Sequence, residues 1–309
     1  MYSLSDLKRA LKNPALIKRE PNRLWHTNGR RLPYNTTGVD VFEEDWDTLI
    51  ILDACRYDVF DRVVDLDGKL ASRISRGSTS PEWVAGNFHN KTLHDTVYVS
   101  ANIWYDRLED DINADVYDFI GTNTAEAEEE LNPTAESIMQ RGMHPKTITK
   151  LGLDAFKKYP NKRHIIHYMQ PHQPYIGEFG DKHFEPTTNT ISRFAEGGRP
   201  ASVDTLRKAY KENLEMVLQY IPQVLDSRDD RTVISADHGE MLGDRLSPFP
   251  FRDFGHPEGI YCEELVKVPW FVVEDESRPN IVAETPTRRS YQPKEDQVEE
   301  RLRKLGYLN

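Results

Sequence analysis

Asp53, Asp237 and His238 are side chains of this 309-residue chain that could together hold a divalent cation. Asp53 follows the apolar run of "DTLIILDA" (47–54), and Asp237-His238-Gly239 follows that of "RTVISAD" (231–237). Carboxylate oxygens with an imidazole nitrogen suit Mn²⁺ or Zn²⁺ better than all-oxygen Ca²⁺ or Mg²⁺. Taken singly, each residue has a plainer reading. An Asp after a strand commonly caps a helix, a His in a turn has many uses, and a Gly marks the turn. His172 and Asn102 follow two further apolar runs, 163–169 and 96–101. Asn102 reads as a turn residue. His167 alternates with apolar neighbours and reads as a core histidine.

These side chains converge only if the runs before them are neighbouring strands. Six short, β-branched, apolar runs are present: 47–54, 96–102, 115–121, 163–170, 231–237 and 268–274. Helical patterns separate them, at 80–90, 134–144, 147–159 and 202–227, with a further short one at 4–12. Strands alternating with helices predict an α/β fold with a mostly parallel sheet covered on both faces. In such folds ligands gather outside the carboxyl ends of the strands, where these polar residues fall.

The segments "LIILDACRYD" (49–58), "STSPEW" (78–83), "HYMQPHQPY" (167–175), "SADHGEMLGD" (235–244) and "FGHPEGIYCEELVKVPWFVV" (254–273) occur in this order. They resemble the ordered motifs of the sulfatase-like branch of the alkaline phosphatase superfamily, and the closing "QVEERLRKLGYLN" (297–309) is similar to the tails of such proteins. The resemblance implies an alkaline-phosphatase-like three-layer sandwich with a mostly parallel central sheet. It implies that Asp53, Asp237, His238 and Thr79 hold one divalent metal. It also places the nucleophile at the start of the helix near residue 80, where free N–H groups and the helix dipole favour an anion. Thr79 of Thr79-Ser80-Pro81 is the expected nucleophile, with Ser78 as its alternative. His172 and His256 would line the anion pocket, and either could protonate the leaving alkoxide. Arg56 and Arg76 could bind ester oxygens, although a surface ion pair is the plainer role for each.

The chain departs from the sulfatase pattern. No Cys stands at position 79, and Glu82-Trp83 replace a Ser-Arg pair. Ala54 stands where a second acid is common. A metal-dependent hydrolase or transferase of phosphate esters, with polysaccharide or glycolipid substrates as the resemblance implies, is therefore expected ahead of a sulfatase or a non-catalytic binding protein.

The net charge of −11 does not suggest a nucleic-acid partner. Residues 1–31 are nevertheless basic, with eight Lys/Arg against two acids, which leaves −17 on the remainder. Such an arm could touch an anionic membrane or fold back on its own acidic domain. No run is long and apolar enough to span a membrane. Two cysteines, Cys55 and Cys262, form no disulfide framework, and no signal peptide is evident, so a cytoplasmic, or membrane-peripheral, location is expected. The expected organisation is a basic extension (1–45), a catalytic domain (46–275) and a tail with a short helix (276–309).

Overall fold

A computed structural model describes residues 14–122, 144–185, 189–274 and 277–286. The helices expected at 4–12 and in the tail lie outside these residues, as does nearly all of that at 134–144. In chain order the elements are α1 (Pro14–His26), β1 (Thr48–Leu52), α2 (Tyr57–Val63), β2 (Lys69–Ile74), α3 (Ser80–Phe88), β3 (Thr92–Ser100), α4 (Trp104–Ile112) and β4 (Asp115–Gly121). They continue with α5 (Pro145–Lys158), β5 (Arg163–Tyr168), α6 (Glu178–His183), α7 (Thr190–Ala195), α8 (Val203–Leu218) and α9 (Ile221–Leu225). The last are β6 (Thr232–Ser235), β7 (Met241–Arg245), β8 (Arg252–Gly255), α10 (Glu263–Val266) and β9 (Lys267–Val273).

Seven strands form one sheet in the order β2-β9-β6-β1-β5-β3-β4. The run from β6 to β4 is parallel, and β9 is antiparallel to both its neighbours. β1 is the pivot. Its side chains alternate between two cores, as the period of a strand requires. Ile50 and Leu52 enter a core with Ile148, Leu214 and Val217 of α5 and α8. Leu49 and Ile51 enter the opposite core with Trp83, Phe88 and Tyr105 of α3 and α4. Burial on both faces makes β1 continuously apolar, and the result is helix, sheet and helix in three layers. The pattern at 202–227 divides into α8 and α9 at Gln219-Tyr220, just before Pro222, which sits in the first turn of α9.

β2 and the β7–β8 hairpin were not expected from the sequence. The hairpin stands apart from the main sheet, with Met241 opposite Gly255. That register sets Glu240 beside His256 at the open end of the hairpin. α1 of the basic extension lies on this hairpin. Arg19 bridges Asp253 at 2.7 Å, and the side chain of Asn22 bonds the Phe249 backbone in both directions. Trp25 packs edge-on to Phe249. No described helix is long and apolar enough to cross a membrane.

His164 is buried in β5 against Phe156, with Nδ1 accepting from Arg228 at 2.8 Å. Burial, reinforced by Arg228, pushes it down to about 3. The unfolded chain therefore binds a proton that the fold rejects, and stability is lost as pH falls below about 6.5. Between pH 6.5 and 5 this one group removes about 2 kcal/mol. Urea denaturation at pH 7 and pH 5 should show a smaller loss in His164→Gln than in the unaltered protein. Parallel losses would rule the assignment out.

Candidate metal and ester site

β1 and β6 are adjacent and parallel, so their carboxyl ends deliver Asp53 and Asp237-His238 to one place. Asp53, Asp237 and His238 form a buried group with ligand atoms within 4.8 Å of one another. His238 Nε2 lies 3.7 Å from Asp53 Oδ1 and 3.4 Å from Asp237 Oδ2. Its Nδ1 is held by the Gly239 carbonyl at 2.8 Å, so Nδ1 carries the proton and Nε2 the lone pair. Asp237 Oδ1 accepts from the N–H groups of Ala54 and His238, at 3.0 and 2.8 Å. Ala54 reaches it from a left-handed conformation, φ 59°. Gly239 does not need such freedom. Its role is close approach: a Cβ there would meet the Glu264 carbonyl at 2.1 Å, while its N–H donates to Leu265 O at 2.7 Å.

Three residues that the sequence reading set aside or passed over belong to this group. The hydroxyl bonded into it is that of Ser80. Its Oγ donates to Asp237 Oδ2 at 2.6 Å and sits 3.3 Å from His238 Nε2. Asn102, expected as a turn residue, donates to Asp53 Oδ2 at 2.7 Å and to Ser80 Oγ at 3.0 Å. His167, expected in the core, is buried, but its Nε2 lies 3.8 Å from Asp237 Oδ2 and 4.0 Å from Asp53 Oδ2. Tyr98 holds its Nδ1 at 2.8 Å.

Thr79, expected both to attack and to bind metal, is the N-cap of α3, where its Oγ1 accepts from Glu82 N at 3.4 Å. It keeps 8% of its surface exposed, whereas Ser80 is fully enclosed. Ser78 is committed to Glu82 and to the Pro257 carbonyl. Glu82, which departs from the sulfatase pattern, is a brace: its carboxylate accepts from Ser78, Gly259 and Tyr261.

A second group joins His172, Glu240 and His256, again within 4.8 Å. It abuts the first, with the His238 and His256 rings 4.6 Å apart and those of His172 and His256 5.2 Å apart. Glu240, two residues after His238, was not among the expected site residues; its Oε1 meets His256 Nδ1 at 3.0 Å.

Neither arginine is aimed at an ester. Arg56 binds Asp58 and Asp244 and donates to the Glu240 carbonyl. Arg76 binds Asp40 and the Gly86 carbonyl. Both are held in ion pairs, and Arg56 itself is buried.

The electrostatics ask for positive charge. Burial, then the neighbouring Asp237, pushes the Asp53 carboxyl well above its ordinary range. Burial works against Asp237 as well, but His238 and His167 hold it below the usual value. Burial raises Glu240 to about 7 and lowers His167, His172 and His256 to about 4. Asp53 Oδ1, His167 Nε2 and Glu240 Oε2 are buried without a hydrogen-bond partner. Orphaned acceptors of this kind are costly unless something satisfies them, and a divalent cation fits this mixed oxygen and nitrogen donor set.

No family model matches the chain, and no curated protein matches its sequence. Solved structures do resemble it. The C-terminal periplasmic domain of EptC from Escherichia coli, in complex with zinc, is 13% identical over 80% of this chain and 78% of its own, with a TM-score of 0.48. The lipooligosaccharide phosphoethanolamine transferase EptA from Neisseria meningitidis, an integral membrane protein, is 16% identical over 72% and 47%, with a TM-score of 0.44. A phosphonate monoester hydrolase from Silicibacter pomeroyi is 14% identical over 84% and 72%, with a TM-score of 0.40. The described residues themselves form the expected three-layer α/β sandwich with a mostly parallel central sheet.

The cytoplasmic location expected from the cysteines does not stand. The structures that the chain resembles include periplasmic domains. Cys55 and Cys262 are separate, buried thiols whose state says nothing of a compartment.

Proposed function

We propose that this chain is a metal-dependent enzyme that hydrolyses or transfers phosphate esters. The observation that carries the reading is the meeting of Asp53, Asp237 and His238 with the N-terminus of α3, which brings a cation site beside helix N–H groups and two hydroxyls. A divalent metal, Zn²⁺ or Mn²⁺ by its donors, would be held by Asp53, Asp237 and His238 and would supply Lewis acidity to the ester oxygen and the attacking hydroxyl.

The chain's own residues do the rest. Thr79 is the proposed nucleophile: it caps α3 and keeps 8% of its surface exposed, whereas Ser80 is fully buried and already donates to Asp237. Ser80 and Asn102 hold the two carboxylates in place. The positive end of the α3 dipole faces the phosphoryl oxygens. His172 and His256 line the anion pocket, and the Glu240–His256 hydrogen bond leads a proton toward the leaving alkoxide. Water or an acceptor hydroxyl then takes the phosphoryl group from Thr79. Peripheral membrane contact is no part of this reading, since Arg19 and Arg23 of the basic arm are paired with Asp253 and Glu20.

The test is metal analysis with a screen of p-nitrophenyl phosphate, a phosphodiester and p-nitrophenyl sulfate. Turnover of phosphate esters that stops on chelation and returns with Zn²⁺ or Mn²⁺ is expected. Turnover of the sulfate alone would sink the phosphate reading.

A further inference from the structure

A cavity of about 590 Å³ opens beside the β7–β8 hairpin, walled by α1, the segment joining α7 to α8, and β8. Its lining is of two kinds. Phe194 and Phe254 stack at 5.0 Å and give it an aromatic wall. Lys18, Arg199 and Arg252 contribute exposed cations. Arg19 also lines it but is neutralised by Asp253. Three cations gathered at one concavity, on a protein of net charge −11, make a local potential opposite in sign to the whole.

The cavity adjoins the ester site through shared elements. Phe254 in its wall is two residues from His256 in sequence. α7, which carries Phe194, is tied to the loop of His172. Gln173 donates to Asn189 Oδ1 at 2.8 Å and accepts from Ile191 N at 3.1 Å. Ile191 in turn packs against Gly255.

We infer that this cavity is a second anion subsite, and that the natural substrate carries a further acidic group besides its scissile ester. Lys18, Arg199 and Arg252 hold that group, while the Phe194–Phe254 wall takes the carbon skeleton between the two charges. This rests on the ester-cleaving reading above and adds the substrate class to it: a bis-anionic ester.

The test compares butane-1,4-bisphosphonate with butylphosphonate by titration calorimetry on the full, metal-loaded chain. The bisphosphonate should bind about 10-fold more tightly, and less so as salt is raised. In the Arg199→Gln/Arg252→Gln double variant the ratio should fall to about 1. In Lys157→Gln, which removes one exposed charge on α5, the ratio should persist. Equal affinities in the unaltered protein, or a preference that survives the double variant, would overturn the subsite. Turnover of p-nitrophenyl phosphate, which has a single anionic group, reports on the ester site by itself. Turnover without the bis-anion preference overturns the subsite alone. Absence of both turnover and butylphosphonate binding overturns the underlying reading with it.

Discussion

Asp237→Asn should remove bound metal and turnover together. Each oxygen of this carboxylate has a distinct duty. Oδ1 accepts the N–H groups of Ala54 and His238, which fixes the turns after β1 and β6. Oδ2 accepts the Ser80 hydroxyl and faces His238 Nε2. An amide of the same shape keeps only one acceptor and sets an NH₂ against donors or against the cation. Changing even an outer partner of a metal ligand typically costs 10–100-fold in affinity, so loss of this one should exceed about 100-fold. Turnover should fall by about 10³-fold or more, the scale on which one preorganised charge-stabilising group counts. Elemental analysis and kcat/KM on the same preparations decide it. A folded variant with full metal and turnover within tenfold would remove Asp237 from the site.

The second large effect separates two adjacent hydroxyls. Thr79→Ala should abolish turnover, by at least about 10⁴-fold as for other nucleophiles, while metal stays bound. Ser80→Ala should lower turnover by about 10–100-fold through misplacement of Asp237. The physical distinction is access. Ser80 Oγ is enclosed by Asp237, His238 and Asn102, and in-line attack needs a hydroxyl that an incoming phosphorus can reach. Thr79 keeps 8% of its surface exposed at the start of α3. Acid quench during turnover, followed by peptide mass spectrometry, should place the phosphoryl group on Thr79. Its recovery on Ser80, or turnover that survives Thr79→Ala, would reverse the two roles.

Much of the framework is readable along the chain. The apolar runs at 47–52 and 231–236 carry the information that both are interior strands, because only a strand buried on both faces tolerates such continuity. All six expected strands are present, at boundaries shifted by at most two residues except that β3 begins four residues earlier, at Thr92. β2 escaped notice because its side chains are largely exposed and its pairing with β9 supplies the order. The hairpin escaped because "EMLGDRLSPFPFRDFG" mixes charge and glycine through both strands. With it went Glu240, whose partner His256 lies sixteen residues away in sequence and adjacent only through the register of Met241 with Gly255.

The residue types of the site, and the strand ends on which they sit, were determined by the sequence itself. Asp53, Asp237 and His238 follow apolar runs that must lie side by side in a parallel sheet, so their convergence follows from local pattern and fold class. Which neighbours complete the site was decided only by tertiary structure. Asn102, Ser80 and His167 look ordinary in sequence. Each becomes part of the site because burial denies its polar atoms water and leaves the carboxylates as partners. Arg56 and Arg76 show the same rule in reverse. Their charges could have served an anion, but acids supplied by other segments or by their own turn reach them first, and that competition is settled in space, not along the chain.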